Sequence, residues 1–470
     1  MPNSLNLSEP FQQSRLFIDS NQEKFRNQLF DLLRIPSISS DSTQIDAMSE
    51  CAELVQKLMV DSGLKAEILP TEGHPVVYGE RIGSSGGPSL LVYGHYDVQP
   101  VEPLKDWRND PFDPVVENDS VVARGATDDK GQSFALLCGV RAAIECGVGE
   151  DVTIKVLIEG EEEVGSPSLI PFMRQEKERL KADVVVIADS PQLDRDIPAI
   201  TYGLRGIQCL EVIVRGARRD LHSGSYGGAV PNPANILARL LNACQGPFGK
   251  IAIPHFYDDV RPLEDWEREA YRKLPFDEEA FRQDLGILKL WGEEGFSTLE
   301  RRWARPTFDI NGLVSGHSGE GVKTVLPCEA RAKFSMRLVP DQDPEKIARH
   351  TEEFILSMAP DSVSVEFIRN HGAEPVLVSR DQKALKAAEA AMTAGFGKQP
   401  VFIREGGSIP VVNTFKKELG MESLLIGLGL PDDNTHAPNE KFNLIDFQRG
   451  MVTMAALIDE ISRQEGSKNY

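Results

Sequence analysis

Short apolar runs alternate with stretches of helical apolar spacing over roughly the first 200 residues of this 470-residue chain. The runs are rich in β-branched residues and predict buried strands at 90–93, 152–158 and 183–188. Helical spacing covers 22–33, 47–59 and 132–146. This alternation favours an α/β domain with a mixed, mostly parallel sheet flanked by helices, in which functional residues gather beyond the strand ends.

The pattern changes near Gly206. Residues 208–214 and 331–338 alternate between polar and apolar, which is typical of a half-exposed antiparallel sheet. The chain is also too long for a single hydrophobic core. We therefore predict an inserted α+β domain with an antiparallel sheet and a discontinuous catalytic domain. Their limits are 207–373 for the inserted domain, and 1–206 with 374–470 for the catalytic domain.

Four polar segments follow predicted strands or open a predicted helix, and each carries acidic residues or histidine. They are GHYDV with His95 and Asp97, RGATDDKG with Asp128, EGEEEVGS with Glu162 and Glu163, and IADS with Asp189. Carboxylates grouped at buried strand ends repel one another and lose hydration unless cations neutralise them. One histidine with several carboxylates suits Zn²⁺ or Mn²⁺ better than the oxygen-only shells of Ca²⁺ and Mg²⁺.

A site for two metal ions needs a bridging carboxylate and further ligands on each ion. A second histidine is therefore expected, and the candidate is His436 in the polar segment NTHAPNE. Residues two apart in an extended chain face the same way, so Asp97 can orient the imidazole of His95.

The composition argues against several other classes of protein. A net charge of −21 is unsuited to nucleic acid or to anionic membranes. We see no apolar run approaching about 18 residues and no signal-peptide pattern at the start. The six cysteines lack CxxC spacing and are interpreted as reduced core residues, which predicts a cytoplasmic protein.

The segments GHYDVQP, RGATDDKG, EGEEEVGS and DLHSGSYGG together resemble the metallopeptidases that include carboxypeptidase G, aminoacylase and cytosolic non-specific dipeptidase. The resemblance extends from about Asn21 to the last predicted helix, at about 446–462. The segments DLHSGSYGG, KTVLP, FSMRLVP and REGGSIP are most similar to the dipeptidase and carnosine-dipeptidase branch.

The resemblance implies a role for each metal-site residue. Asp128 would bridge two divalent ions, with Zn²⁺ favoured and Mn²⁺ or Co²⁺ as alternatives. His95 and Asp189 would complete the ligands of one ion, and Glu163 and His436 those of the other.

The resemblance also implies that Glu162 is the general base and that Asp97 orients His95. Adjacent residues in an extended chain point apart, so Glu162 and Glu163 are expected to differ in role, and Glu161 is expected to be a bystander. The peptide bond after Asp128 is expected to be cis.

The inserted domain would then serve as lid and dimerisation surface in a homodimer. His222 would reach the active site of the partner subunit and stabilise the oxyanion. Arg337 would bind the carboxylate of the substrate, with hydrogen bonds added by Thr324 and Ser408.

These expectations predict hydrolysis of dipeptides that have a free C-terminal carboxylate, by a water between the metals that Glu162 activates. The open alternative is a related amidohydrolase acting on N-acyl or N-succinyl amino acids. A binding protein that kept only the fold is disfavoured, because Asp128 and Glu162 are both present.

Overall fold

The computed structural model describes residues 8–84, 86–378, 383–407 and 409–464. The chain divides into two compact units. The first comprises Met1–Tyr202, Val378–Ile403 and Thr414–Tyr470, and the second Gly203–Leu377 and Arg404–Asn413.

The strands in chain order are β1 (Lys65–Leu69), β2 (Val76–Arg81), β3 (Ser89–His95), β4 (Val115–Glu117), β5 (Ser120–Val122), β6 (Thr153–Glu159), β7 (Val184–Ile187), β8 (Ala199–Leu204), β9 (Gly206–Arg215), β10 (Leu221–His222), β11 (Thr307–Ser315), β12 (Val325–Leu326), β13 (Glu329–Leu338), β14 (Ser364–Ala373), β15 (Val376–Leu377), β16 (Val401–Glu405), β17 (Ser423–Gly427) and β18 (Lys441–Asn443).

The helices are α1 (Glu9–Leu33), α2 (Ile45–Asp61), α3 (Lys130–Glu145), α4 (Leu169–Gln175), α5 (Lys177–Leu180), α6 (Ser223–Tyr226), α7 (Pro233–Ala243), α8 (Asp265–Lys273), α9 (Glu278–Asp284), α10 (Thr298–Ala304), α11 (Pro344–Met358), α12 (Lys383–Phe396), α13 (Pro410–Thr414) and α14 (Leu444–Arg463). No helix in the described part of the chain is long and apolar enough to span a membrane.

The main sheet of the first unit has the order β1-β2-β6-β3-β7-β17-β8. Its four central strands, β6, β3, β7 and β17, are parallel, and antiparallel strands lie on either side of them. The predicted mixed sheet is confirmed. Because β3, β6 and β7 are parallel, their carboxyl ends meet at one edge of the sheet, and His95 is the last residue of β3.

Helices α1, α3 and α14 pack against one another in the first unit, and α12 packs on α14. Helix α3 is buried along most of its length because residues 134–140 are mainly small or apolar. It begins at Lys130, directly after the DD pair of RGATDDKG. The burial of this helix holds the preceding acidic loop in place.

The second unit has an antiparallel sheet of order β11-β13-β9-β14, as predicted. Helices α7 and α11 pack on one face through a core that includes Leu237, Ile347 and Phe334.

The second unit also includes Arg404–Asn413, which the sequence analysis assigned to the catalytic domain. Contacts made at the start of this segment explain the difference. The side chain of Arg404 forms a buried ion pair with Glu267, and the carbonyl of Gly406 accepts a hydrogen bond from Arg205 Nε at 3.0 Å.

Candidate metal centre

Strand ends and the loops that follow strands of the first unit bring acidic and histidine side chains together. His95, Asp128 and Asp189 form one group, in which one ligand atom of each residue lies within 4.8 Å of those of the other two. His95 Nε2 lies 3.2 Å from Asp128 Oδ1. Asp189 follows β7, the strand beside β3, which explains why residues 94 apart in sequence come together.

Asp128, Glu163 and His436 form a second group by the same criterion. His436 Nε2 lies 2.8 Å from Asp128 Oδ2 and 3.3 Å from Glu163 Oε2. One carboxylate oxygen of Asp128 therefore lies beside His95 in the first group, and the other lies beside His436 in the second. The structure brings together all five residues that the sequence analysis selected as metal ligands.

The hydrogen bonds of these side chains fit a metal site. His95 Nε2 and Glu163 Oε1 are buried and have no hydrogen-bond partner. His95 Nδ1 lies 3.1 Å from the carbonyl oxygen of Asp97, which acts as acceptor. A ring that donates from Nδ1 has a lone pair on Nε2, and this lone pair faces the Asp128 carboxylate. A cation between the His95 ring and the Asp128 carboxylate would be bound by both, since neutral imidazole and carboxylate are common ligands of Zn²⁺.

The pKa values of the carboxyl groups also reflect the negative charge that is concentrated at this site. Burial and then the charges of Asp128 and Asp129 hold the pKa of Asp189 well above its ordinary value. Burial raises the pKa of Asp128, but the adjacent imidazoles of His436 and His95 outweigh it, so this pKa is below the ordinary value. Carboxyl groups in one site thus differ in their affinity for protons, and bound cations would relieve their mutual repulsion.

Asp97 links the two groups. It is fully buried, and its Oδ1 lies 3.4 Å from His95 Nδ1. Its Oδ1 also accepts the backbone N–H of Glu162 at 3.2 Å, and its Oδ2 accepts that of Glu163 at 3.1 Å. The hydroxyl of Ser39 donates to Oδ2 at 2.6 Å. Asp97 therefore positions the candidate base and a ligand of the second group, in addition to His95.

Glu162 opens a 3₁₀ turn, Glu162–Val164, just after β6. Burial raises the pKa of Glu162 to about 7, with the charge of His95 opposing this rise and those of Glu163 and Asp128 adding to it. A carboxylate with a pKa near neutrality is suited to accept and return a proton.

The neighbours of Glu162 have different partners. Glu161 accepts backbone N–H groups from His74 at 3.0 Å and Ser168 at 3.1 Å, so its carboxylate anchors the turn. Gln99 Nε2 donates to Glu163 Oε2 at 2.6 Å and orients it towards the second group. Gln99 was not predicted from the sequence, because a glutamine in the loop after β3 has no distinctive signature of its own. The expected cis peptide bond between Asp128 and Asp129 is confirmed.

The predicted substrate-binding residues belong to the second unit. His222 and Thr324 are exposed and close to each other, because His222 pairs with Val325 and Ser223 N donates to Thr324 O at 3.0 Å. Arg337 is half-buried near the end of β13, the strand that lies between β9 and β11. Ser408 lies outside the described residues.

Residues 91–460 match the sequence profile of peptidase family M20/M25/M40. The chain belongs to this peptidase family. A relative is the Cys-Gly metallodipeptidase dug1 of Schizosaccharomyces pombe, 32% identical over 95% of this chain and 97% of that protein. Another is the Beta-Ala-His dipeptidase of Homo sapiens, 31% identical over 95% of this chain and 92% of that protein.

The fold is also that of a solved M20 structure. The metallo-carboxypeptidase Sso-CP2 from Sulfolobus solfataricus aligns with a TM-score of 0.84 and 32% identity, over 93% of this chain and 99% of that chain. The resemblance stated from the sequence is thus confirmed. This M20 protein is a metal-dependent hydrolase of peptide bonds.

Proposed function

We propose that this M20 peptidase is a dinuclear dipeptidase that acts on dipeptides with a free C-terminal carboxylate. The observation that carries the proposal is that Asp128 belongs to both ligand groups while the candidate base Glu162 stands next to one ligand in sequence. Two relatives that match this chain over nearly its whole length are dipeptidases by name.

In this proposal His95, Asp128 and Asp189 hold one ion, and Asp128, Glu163 and His436 hold the other. The donors are imidazole nitrogens and carboxylate oxygens without thiolate, which suits Zn²⁺, with Mn²⁺ or Co²⁺ as alternatives. When bound, the ions polarise the substrate carbonyl and lower the pKa of a water ligand to about 7.

Glu162 moves the proton. Its carboxylate takes a proton from the attacking water as the new C–O bond forms, and returns it to the amine nitrogen as the C–N bond breaks. Asp97 supports this role, because its carboxylate accepts the backbone N–H of Glu162 at 3.2 Å and limits movement of the turn. The pKa of about 7 suits the Glu162 carboxylate both to accept the proton from water and to return it to the amine near neutral pH.

The second unit supplies substrate contacts in this proposal. The exposed imidazole of His222 is available to donate to the developing oxyanion. The guanidinium of Arg337 would bind the carboxylate of the substrate through two hydrogen bonds, supported by Thr324 and Ser408.

We also propose a homodimer in which His222 acts in the partner subunit. Strand β11 is at an edge of the antiparallel sheet, where its backbone can pair with another strand. Its side chains Leu313 and Val314 are 58% and 72% exposed, which is unusual for large apolar residues on an edge strand. A second copy of this unit would cover them. The cysteines in the described ranges form no disulfides, which supports the cytoplasm as the compartment.

A panel of substrates tests the proposal. The metal-loaded enzyme is assayed with Cys-Gly, β-Ala-His, their N-acetyl derivatives, an N-acetyl and an N-succinyl amino acid, and a tetrapeptide. We expect the highest kcat/KM for a free dipeptide and about two metal ions per chain by elemental analysis. Faster cleavage of the N-acyl amino acids than of free dipeptides would favour the amidohydrolase activity over the dipeptidase activity.

Carboxypeptidase activity is the second candidate, because the similar structure of Sso-CP2 is that of a metallo-carboxypeptidase. Release of single residues from the C-terminus of the tetrapeptide, at a rate equal to that for dipeptides, would favour it. A dipeptidase leaves the tetrapeptide and N-acetylated dipeptides intact.

A further inference from the structure

The carboxylate of Glu440 is fully buried and lies against the loop that carries Asp128. Its Oε1 accepts the backbone N–H of Thr127 at 2.9 Å and that of Asp128 at 3.0 Å. Its Oε2 accepts the backbone N–H of Gly125 at 3.0 Å and Arg124 Nη1 at 2.7 Å. Both oxygens are therefore saturated by donors of one five-residue segment.

These contacts form a concave set of backbone N–H groups around an anion. Gly125 has φ +80°, a conformation that turns its N–H towards Glu440. The guanidinium of Arg124 is also buried, and it donates to the carbonyl of Pro100 at 3.0 Å and lies over the ring of Trp107. Arg124 thus ties the Asp128 loop to the segment that follows β3, and Glu440 holds Arg124 in that position.

Glu440 stands four residues after His436 in the same loop. The other end of this loop is attached to the Asp128 segment as well, because Asp433 Oδ2 accepts the hydroxyl of Thr127 at 3.1 Å. The backbone N–H of Lys441 donates to the carbonyl of Asp433 at 3.0 Å and closes the base of the loop.

The loop between these two attachments has an unusual backbone. Asn434, His436 and Asn439 have φ values of +57°, +60° and +62°. Residues other than glycine seldom adopt this conformation without support from their surroundings. The attachments at both ends supply that support and hold the His436 imidazole opposite Asp128 Oδ2.

We infer that Glu440 is a positioning residue for the second metal position: its carboxylate fixes the loop of Asp128 against the loop of His436. His95 and Asp189, by contrast, follow neighbouring strands β3 and β7 and need no such link. Neutralising Glu440 is therefore expected to weaken the second position more than the first. The inference rests on the proposed two-metal site.

The experiment titrates the metal-free enzyme with Zn²⁺ in competition with a chelating indicator, so that metal affinity is measured without turnover. Wild type must first bind two ions, and a single ion would refute the proposed function itself. Variant His436→Ala identifies the step that belongs to the second position. We expect Glu440→Gln to weaken that same step about 10- to 100-fold, as is typical when a residue that orients a ligand is changed. The first step should weaken less, because Asp128 is the one ligand of that position that lies on the loop held by Glu440.

Glu267→Gln is a matched control. Glu267 is also buried, forms an ion pair with the buried Arg404 and accepts a backbone N–H, from Glu264 at 2.9 Å. It belongs to the second unit, so its substitution is expected to lower the melting temperature and leave both metal steps unchanged. A general loss of stability would therefore show in both variants, and loss of the second position only in Glu440→Gln.

Glu440→Asp is a milder variant for the case in which Glu440→Gln does not fold. It keeps the negative charge but shortens the side chain by one methylene, so the carboxylate cannot reach all the donors between Arg124 and Asp128. The second step should weaken in the same direction, by a smaller factor. Unchanged affinity in folded Glu440→Gln, or in Glu440→Asp where Glu440→Gln does not fold, would overturn the inference. Equal weakening of both steps would also overturn it.

Discussion

Replacing Asp97 with asparagine tests how the two ligand groups are coupled. Each carboxylate oxygen of Asp97 is occupied: Oδ1 by Glu162 N and His95 Nδ1, and Oδ2 by Glu163 N and the Ser39 hydroxyl. Asparagine keeps the shape but turns one oxygen into an NH₂ group. That group can donate to Ser39, but it cannot accept from a backbone N–H.

The size of the effect follows from these contacts. A backbone N–H of Glu162 or Glu163 is left without its acceptor inside the protein, which costs about 1–3 kcal/mol. If that cost destabilises the geometry that binds metal and substrate, metal affinity or kcat falls by a factor of about 5 to 150. We therefore expect Asp97→Asn to lower metal affinity and, at saturating metal, kcat as well, each within that range.

Metal affinity is measured by competition with a chelator, and kcat with a dipeptide at saturating metal. Asp183→Asn is the matched control, because Asp183 also accepts a backbone N–H and a hydroxyl, both from Ser89, at the opposite end of β3. It should leave both quantities unchanged. Wild-type metal affinity and kcat in Asp97→Asn would refute the reasoning.

Three further predictions concern the proposed chemistry. Glu162→Ala should retain two metal ions and lose about 10²–10⁴-fold in kcat, since the proton carrier is gone; ordinary turnover would refute its role as base. Because burial raises the pKa of Glu162 to about 7 and the base must be unprotonated, kcat/KM should rise with pH up to that region. Bound cations lower this pKa, so an acid limb above pH 8 would contradict the assignment. His222→Ala should lose about 10²–10³-fold in kcat without losing metal. Mixing it with Glu162→Ala should restore activity through heterodimers, and inactive heterodimers would exclude a shared site.

The fold could be predicted where a single segment carries its own signal. The apolar runs that became β3, β6 and β7 are buried on both faces, so their composition was sufficient. The small sheet of β4, β5 and β18 was not predicted. Its strands have three residues each, which is too short for a period to be visible.

The residues proposed as ligands could be selected from the sequence because strand ends and carboxylates are local signals. Their supports could not. Glu440 and Asp128 are 312 positions apart, and nothing in NTHAPNE indicates that its last residue accepts the backbone N–H of Asp128. The second role of Asp97 is hidden for the same reason, because backbone N–H groups carry no residue identity.

The three consecutive glutamates of EGEEEVGS illustrate this limit most clearly. Glu161 is fixed by two backbone donors, and Glu163 is held by Gln99 and lies beside His436. Glu162 lies between them in sequence and is surrounded by the charges of His95, Glu163 and Asp128. A carboxylate with strong fixed partners cannot move a proton readily, while one raised to a pKa of about 7 by burial can. Three identical side chains in a row thus have different surroundings, which fit the different roles proposed for them, and the difference comes from partners that lie on other segments of the fold.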